Sequence, residues 1–132
     1  MASNLEKAMA GRFLASVASG VVSGDPLVLN SVVPAVALTS RDADVAGKAS
    51  VETANACASY RFLVNASGAA IVPFAKIYHD ESTAYAPDAG TPTSPLTNVS
   101  TSNVLFGFAG ENASVADGSQ GTIEVILAHP TP

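Results

Sequence analysis

Apolar and polar residues alternate most cleanly towards the C-terminus. In GTIEVILA (121–128), Ile123, Val125 and Leu127 fall on one side of an extended chain, and Glu124, Ile126 and Ala128 on the other. A period of two belongs to a strand with one buried face. Short apolar runs of similar size recur at 12–18 (RFLASVA), 26–29 (PLVL), 33–39 (VPAVALT), 49–52 (ASVE), 58–64 (ASYRFLV), 69–78 (AAIVPFAKIY) and 103–110 (NVLFGFAG). Gly, Pro, Asn and Asp separate them. Short strands at such spacing predict an all-β fold, a small single-domain antiparallel β-barrel or β-sandwich. Pro34 and Pro73 mark a strand start, an edge or a bulge, because proline cannot donate to a ladder. The cluster SGD at 23–25 predicts a turn in which Asp25 bonds nearby backbone.

Two stretches depart from this pattern. SNLEKAMA (3–10) reads as a short helix, with Ser3 and Glu6 at capping-box spacing and Leu5, Ala8 and Met9 on one stripe. Eight residues are too few for a stable isolated helix, so residues 1–11 form an arm that docks on something or a disordered tail. Leu5, Met9 and Phe13 are the candidate contacts of this arm with a neighbouring chain. The second departure is 82–102, which carries Pro87, Pro92 and Pro95 and no apolar period. It predicts a long loop within the 12–132 β-domain, and long loops are often functional or interfacial.

Composition narrows the classes. Of 132 residues, 48% are hydrophobic, enough for a core, but only 13% are charged. A surface covered by Ser, Thr, Asn, Gly and Ala resists association weakly and suits burial against partners. The net charge is −5, and the six Lys and Arg residues are scattered. That distribution cannot neutralise a row of phosphates, so no nucleic-acid partner is expected. No run approaches the ~18 apolar residues of a membrane span, so no membrane partner is expected either. MASNLEKAMAGRF lacks the basic start and apolar stretch of a secretory signal, and synthesis in a reducing cytoplasm is expected. One cysteine, Cys57, cannot form an internal disulfide.

Motifs for chemistry are missing where they would be needed. Around Gly47-Lys48 the chain reads DADVAGKAS, which lacks the first glycine and the final Ser/Thr of a phosphate-binding loop. There is no Gly-x-Ser-x-Gly elbow. His79, Asp80 and Glu81 form the densest polar cluster, but neighbours on a strand point to opposite faces. The sequence therefore predicts no enzyme, no cofactor and no metal.

What remains is architectural. Gly24 and Asp25 lead into an apolar strand, and Ala35, Val36 and Ala37 sit in the next. A later strand ends in Tyr78 and the acidic turn at Asp80. Phe106, Gly107, Phe108 and Ala109 follow, and Ile123, Val125 and Leu127 close the pattern. Over residues 19 to 128 this order resembles the small phage head proteins of the DUF2190 type. The N-terminal arm and the length of 82–102 depart from that family's pattern. The resemblance implies a capsid decoration, or cement, protein on the outer surface of the virion, bound to the major capsid protein and commonly a homotrimer. The alternative is a head-fibre or tail appendage β-module that binds the host surface or other virion proteins.

Overall fold

The computed structural model describes residues 12–54 and 59–129. Their regular structure is all β. The strands are β1 (Arg12–Ser16), β2 (Pro26–Leu29), β3 (Val33–Ala37), β4 (Lys48–Glu52), β5 (Tyr60–Asn65), β6 (Lys76–His79), β7 (Leu96–Thr97), β8 (Val104–Ala109) and β9 (Gln120–Leu127). The first four form an antiparallel sheet in the order β1-β4-β3-β2, and the other five close into a barrel in the order β5-β7-β6-β8-β9. No helix long and apolar enough to cross a membrane occurs among the described residues.

The alternation in 121–128 is realised in β9. Ile123, Val125 and Leu127 are buried, and the residues between them are exposed. β5 pairs along β9 with Phe62 opposite Ile123 and Val64 opposite Gly121, so its large residues share that inner face. Ile77, Leu96, Phe106 and Ala109 complete the barrel interior, and Val36 of β3 joins the same cluster. β3 is buried on both faces: Val36 meets the barrel, while Ala35 and Ala37 point the other way and are also covered.

A bulge shapes β8. The β6–β8 register places Ile77 opposite Gly107 but Tyr78 opposite Leu105. Phe106 is the extra residue, and it turns into the core beside Phe62, with ring centroids 5.8 Å apart. Gly107 must be glycine there, because a Cβ would stand 2.3 Å from the Ile126 carbonyl oxygen. Asn30 and Ser31, with φ of 50° and 56°, turn the β2–β3 hairpin, and the Val32 N–H donates to the Leu29 carbonyl at 3.0 Å.

Pro34 falls at a strand start, as the sequence predicts, but Pro73 lies in a turn and not at the edge or bulge expected of it. Pro34 is the second residue of β3, where β4 does not yet pair. Pro73 breaks the 69–78 run, leaving an isolated bridge at Ile71 and a strand only from Lys76.

Residues 82–102 correct an expectation. They are not a structureless loop. Ala86 and Thr93 bridge each other, and Leu96–Thr97 is the strand that fills the barrel between β5 and β6. Tyr85 packs edge-on to Phe62 at 5.9 Å, and its hydroxyl accepts from the Leu63 N–H at 3.2 Å. Ser94 donates its hydroxyl to the Leu63 carbonyl at 2.6 Å. One fully buried leucine, Leu96, anchors a segment that otherwise looks like linker.

Candidate functional site

Between the open sheet and the barrel lies a cleft of 630 Å³. The chain from Ser16 to Val21 and β2 form one wall. His79, Glu81–Tyr85 and Pro95 form the other. The Gly24 turn holds the first wall in place. Gly24 has φ +94°, its N–H donates to the Ala37 carbonyl at 2.7 Å, and Asp25 Oδ2 accepts from the Val22 N–H at 3.0 Å. This is the backbone role the sequence assigns to Asp25. Partial burial raises its carboxyl above the usual range, against the lowering effect of the Val22 bond.

On the other wall, Asp80 accepts from the Ser82 N–H (3.0 Å), the Ser82 hydroxyl (2.6 Å) and the Thr83 hydroxyl (3.2 Å). These bonds, those from Ser82 foremost, lower its carboxyl. Glu81 accepts from the Ser31 hydroxyl at 3.1 Å. His79 is only 8% exposed, 6.0 Å from the Phe106 ring, and lines the cleft together with Pro26 of β2. Burial pushes its imidazole below the ordinary range. The cluster at 79–81 is thus one buried histidine and two carboxylates engaged with hydroxyls. No group of three or more His, Cys, Asp or Glu able to hold a metal occurs among the described residues.

A second feature stands on the barrel surface. Val72, Pro73, Phe74 and Ala75 form a tight turn, closed by the Ala75 N–H on the Val72 carbonyl at 3.1 Å. Pro73 suits the second position of such a turn. Phe74 takes the third, with φ +64°, where glycine is the usual residue. The conformation is pinned, because the Phe74 N–H donates to the Ala109 carbonyl (3.1 Å) and Ala109 N–H to the Ala75 carbonyl (2.8 Å). Phe74 is 63% exposed and Val72 56%. At the same end of β8, Phe108 faces exposed Ile126 on β9 and Lys76 on β6.

The sheet and barrel are also joined by Glu52. It is 3% exposed, accepts from Arg12 Nε at 2.9 Å across the β1–β4 pair, and lies near enough to the Tyr60 hydroxyl of β5 to act on it electrostatically. Burial, then Glu52, raises the Tyr60 hydroxyl.

Of the predicted contact residues, Phe13 is half-buried in β1 opposite Val51, so an apolar stripe of helical spacing does not run through it. Leu5 and Met9, the helix expected at 3–10 and Cys57 lie outside the described residues. Sequence reasoning missed Phe74. The signal was present as a bulky apolar residue directly after Pro73, but the whole run read as one strand.

Comparison with protein-family models, with curated proteins and with solved structures gave no significant match.

Proposed function

We propose that this chain is a structural virion protein that binds the outer surface of a phage head, contacts the major capsid protein and stabilises the shell, acting as a homotrimer. The resemblance described above suggests the class, and the strained, exposed turn at Phe74 carries the argument from this chain's own residues. A non-glycine residue at φ +64° costs about 1–3 kcal/mol. An exposed aromatic adds no core burial to offset that cost. Strain of this kind is retained where the side chain is wanted in that place, and buried aromatics are the usual energetic anchors of protein interfaces. A low-charge, neutral polar surface around it suits packing against protein.

The test is binding to purified, expanded heads that lack the protein. The chain binds saturably, and Phe74→Gly weakens binding at least ~30-fold, the equivalent of a 2 kcal/mol anchor. No binding by the unmodified chain rejects the reading.

The appendage reading has one observation in its favour. Asn65, Thr93, Asn103 and Gln120 contribute polar groups to a 340 Å³ hollow on the barrel, which suits a hydroxyl-rich ligand. Immunogold labelling of virions separates the two readings, with label over the head surface supporting the first and label on the tail supporting the second.

A further inference from the structure

β2 is an edge strand of the open sheet, paired only with β3. Two observations fix which of its backbone groups that pairing leaves over. The Ala37 N–H donates to the Asp25 carbonyl at 2.9 Å, and Pro34, which has no N–H, stands opposite Val28. In an antiparallel pair, residues that exchange backbone bonds alternate with residues that do not. Leu27 and Leu29 therefore turn their backbone groups to β3. Val28 points its N–H and its carbonyl the other way, and Pro26 its carbonyl. Among the described residues, no backbone bond outside the β2–β3 ladder reaches Val28.

That free edge borders the 630 Å³ cleft. Every residue from Asp25 to Asn30 lines it. A strand does this along its edge and not along a face, where only alternate residues are presented. Natural sheets guard an open edge with charge, a bulge or a covering segment. β2 has neither charge nor bulge, its one proline removes a single donor, and Leu27, Val28 and Leu29 are half-buried. The formal charge lining the cleft has one sign: Asp25 and Glu81 take part, and no Lys or Arg does. Each carboxylate gives one oxygen to the fold, Asp25 Oδ2 to the Val22 N–H and Glu81 Oε2 to the Ser31 hydroxyl. The site suits an extended segment that carries apolar side chains and a cation and adds as a further strand beside β2.

We propose that the cleft receives residues 1–11 of a second copy of this chain, laid as a strand along β2. Extended, that segment places Leu5, Lys7 and Met9 on one side, a cation between two apolar side chains. It precedes Arg12, so the position of β1 decides whose arm can reach. Arg12 pairs with Glu52, Glu52 with Val36 and Val36 with Pro26, one row across the sheet. At ~4.8 Å per step, a strand outside β2 lies about 19 Å from Arg12. The chain's own arm would use about six residues on that crossing, at ~3.3 Å each, which leaves Lys7 and Met9 outside the cleft. The arm of a second copy has no such crossing to make and brings Leu5, Lys7 and Met9 in together. The exchange does not depend on the phage-head reading. Self-association without head binding would leave it standing and reject that reading alone.

Light scattering on the full chain over a range of concentrations, with hydrogen exchange on the same samples, tests this. The chain self-associates, and the Val28 amide gains protection as it does. Lys7→Glu brings a further carboxylate into the cleft and weakens association at least ~tenfold. Lys7→Glu combined with Glu81→Lys restores it. A chain that stays monomeric overturns the proposal, as does unchanged association of Lys7→Glu or a charge swap that restores nothing. Association that leaves Val28 unprotected places the contact elsewhere and overturns it. Protection of Val28 that is independent of concentration means that the chain's own arm fills the cleft, and overturns it too. Should Glu81→Lys not fold, a synthetic peptide of residues 1–11 decides. Excess peptide dissociates the unmodified assembly, and no effect overturns the exchange.

Discussion

At the scale of the residue, three positions carry costs that the fold must offset, and each predicts a measurable change. Phe74 holds a left-handed backbone that glycine adopts freely. Phe74→Gly is expected to leave stability unchanged or raise it by up to ~1 kcal/mol in urea unfolding, because relief of strain competes with a more flexible unfolded chain. A loss above ~1 kcal/mol would mean that the ring packs on its own domain. Gly107 leaves no room for a methyl group against the Ile126 carbonyl, so Gly107→Ala should cost about 3 kcal/mol in the same measurement. Glu52 is buried while Arg12 is largely exposed. Arg12→Ala strands a buried carboxylate and should cost ~2–3 kcal/mol. Glu52→Gln leaves a solvated arginine and a neutral amide beside Tyr60, and should cost about half as much. The reverse order would contradict the assigned burial.

At the scale of the element, legibility followed the length and regularity of each strand. β9 and β5 were readable because six or more residues alternate or stay apolar, and β2 was readable because the SGD turn and the following asparagine bracket it. β7 was not. It has two residues, and its neighbours are the prolines, serines and threonines of a linker. Only tertiary pairing with β5 and β6 makes it a strand, and no local period can report that. The Phe106 bulge was equally hidden, since it is a property of two strands in register. The cleft was hidden because its walls come from distant parts of the chain. Leu96→Ala tests the new assignment of this element. A fully buried leucine in a barrel should cost ~2–5 kcal/mol on truncation, measured by thermal or urea unfolding. A cost below ~0.5 kcal/mol would restore the expectation of a long loop.

At the scale of the whole molecule, a closed barrel carries most of the core, and a smaller open sheet leans on it through Val36 and through Glu52 beside Tyr60. The barrel closes through a short contact, Asn65 of β5 with Thr97 of β7, and the open sheet has two edge strands, β1 and β2. The apolar turn at Phe74 belongs to the barrel, held by its main-chain bonds to Ala109. For a protein proposed to staple a shell, that placement matters. A rigidly held anchor loses little entropy on binding, so more of its contact energy appears as affinity.

Binding to the assembled shell and not to its dissociated subunits would stabilise the shell by mass action. At a free concentration one hundred times the dissociation constant, each site contributes ~2.7 kcal/mol. Summed over the lattice, that opposes the pressure of packaged DNA. The direct measurement is heat-induced DNA release from heads with and without the bound chain, with occupancy confirmed on the same heads. The account predicts a higher release temperature for decorated heads, and a smaller gain at equal input when Phe74→Gly replaces the natural chain. Equal release temperatures at full occupancy would contradict it.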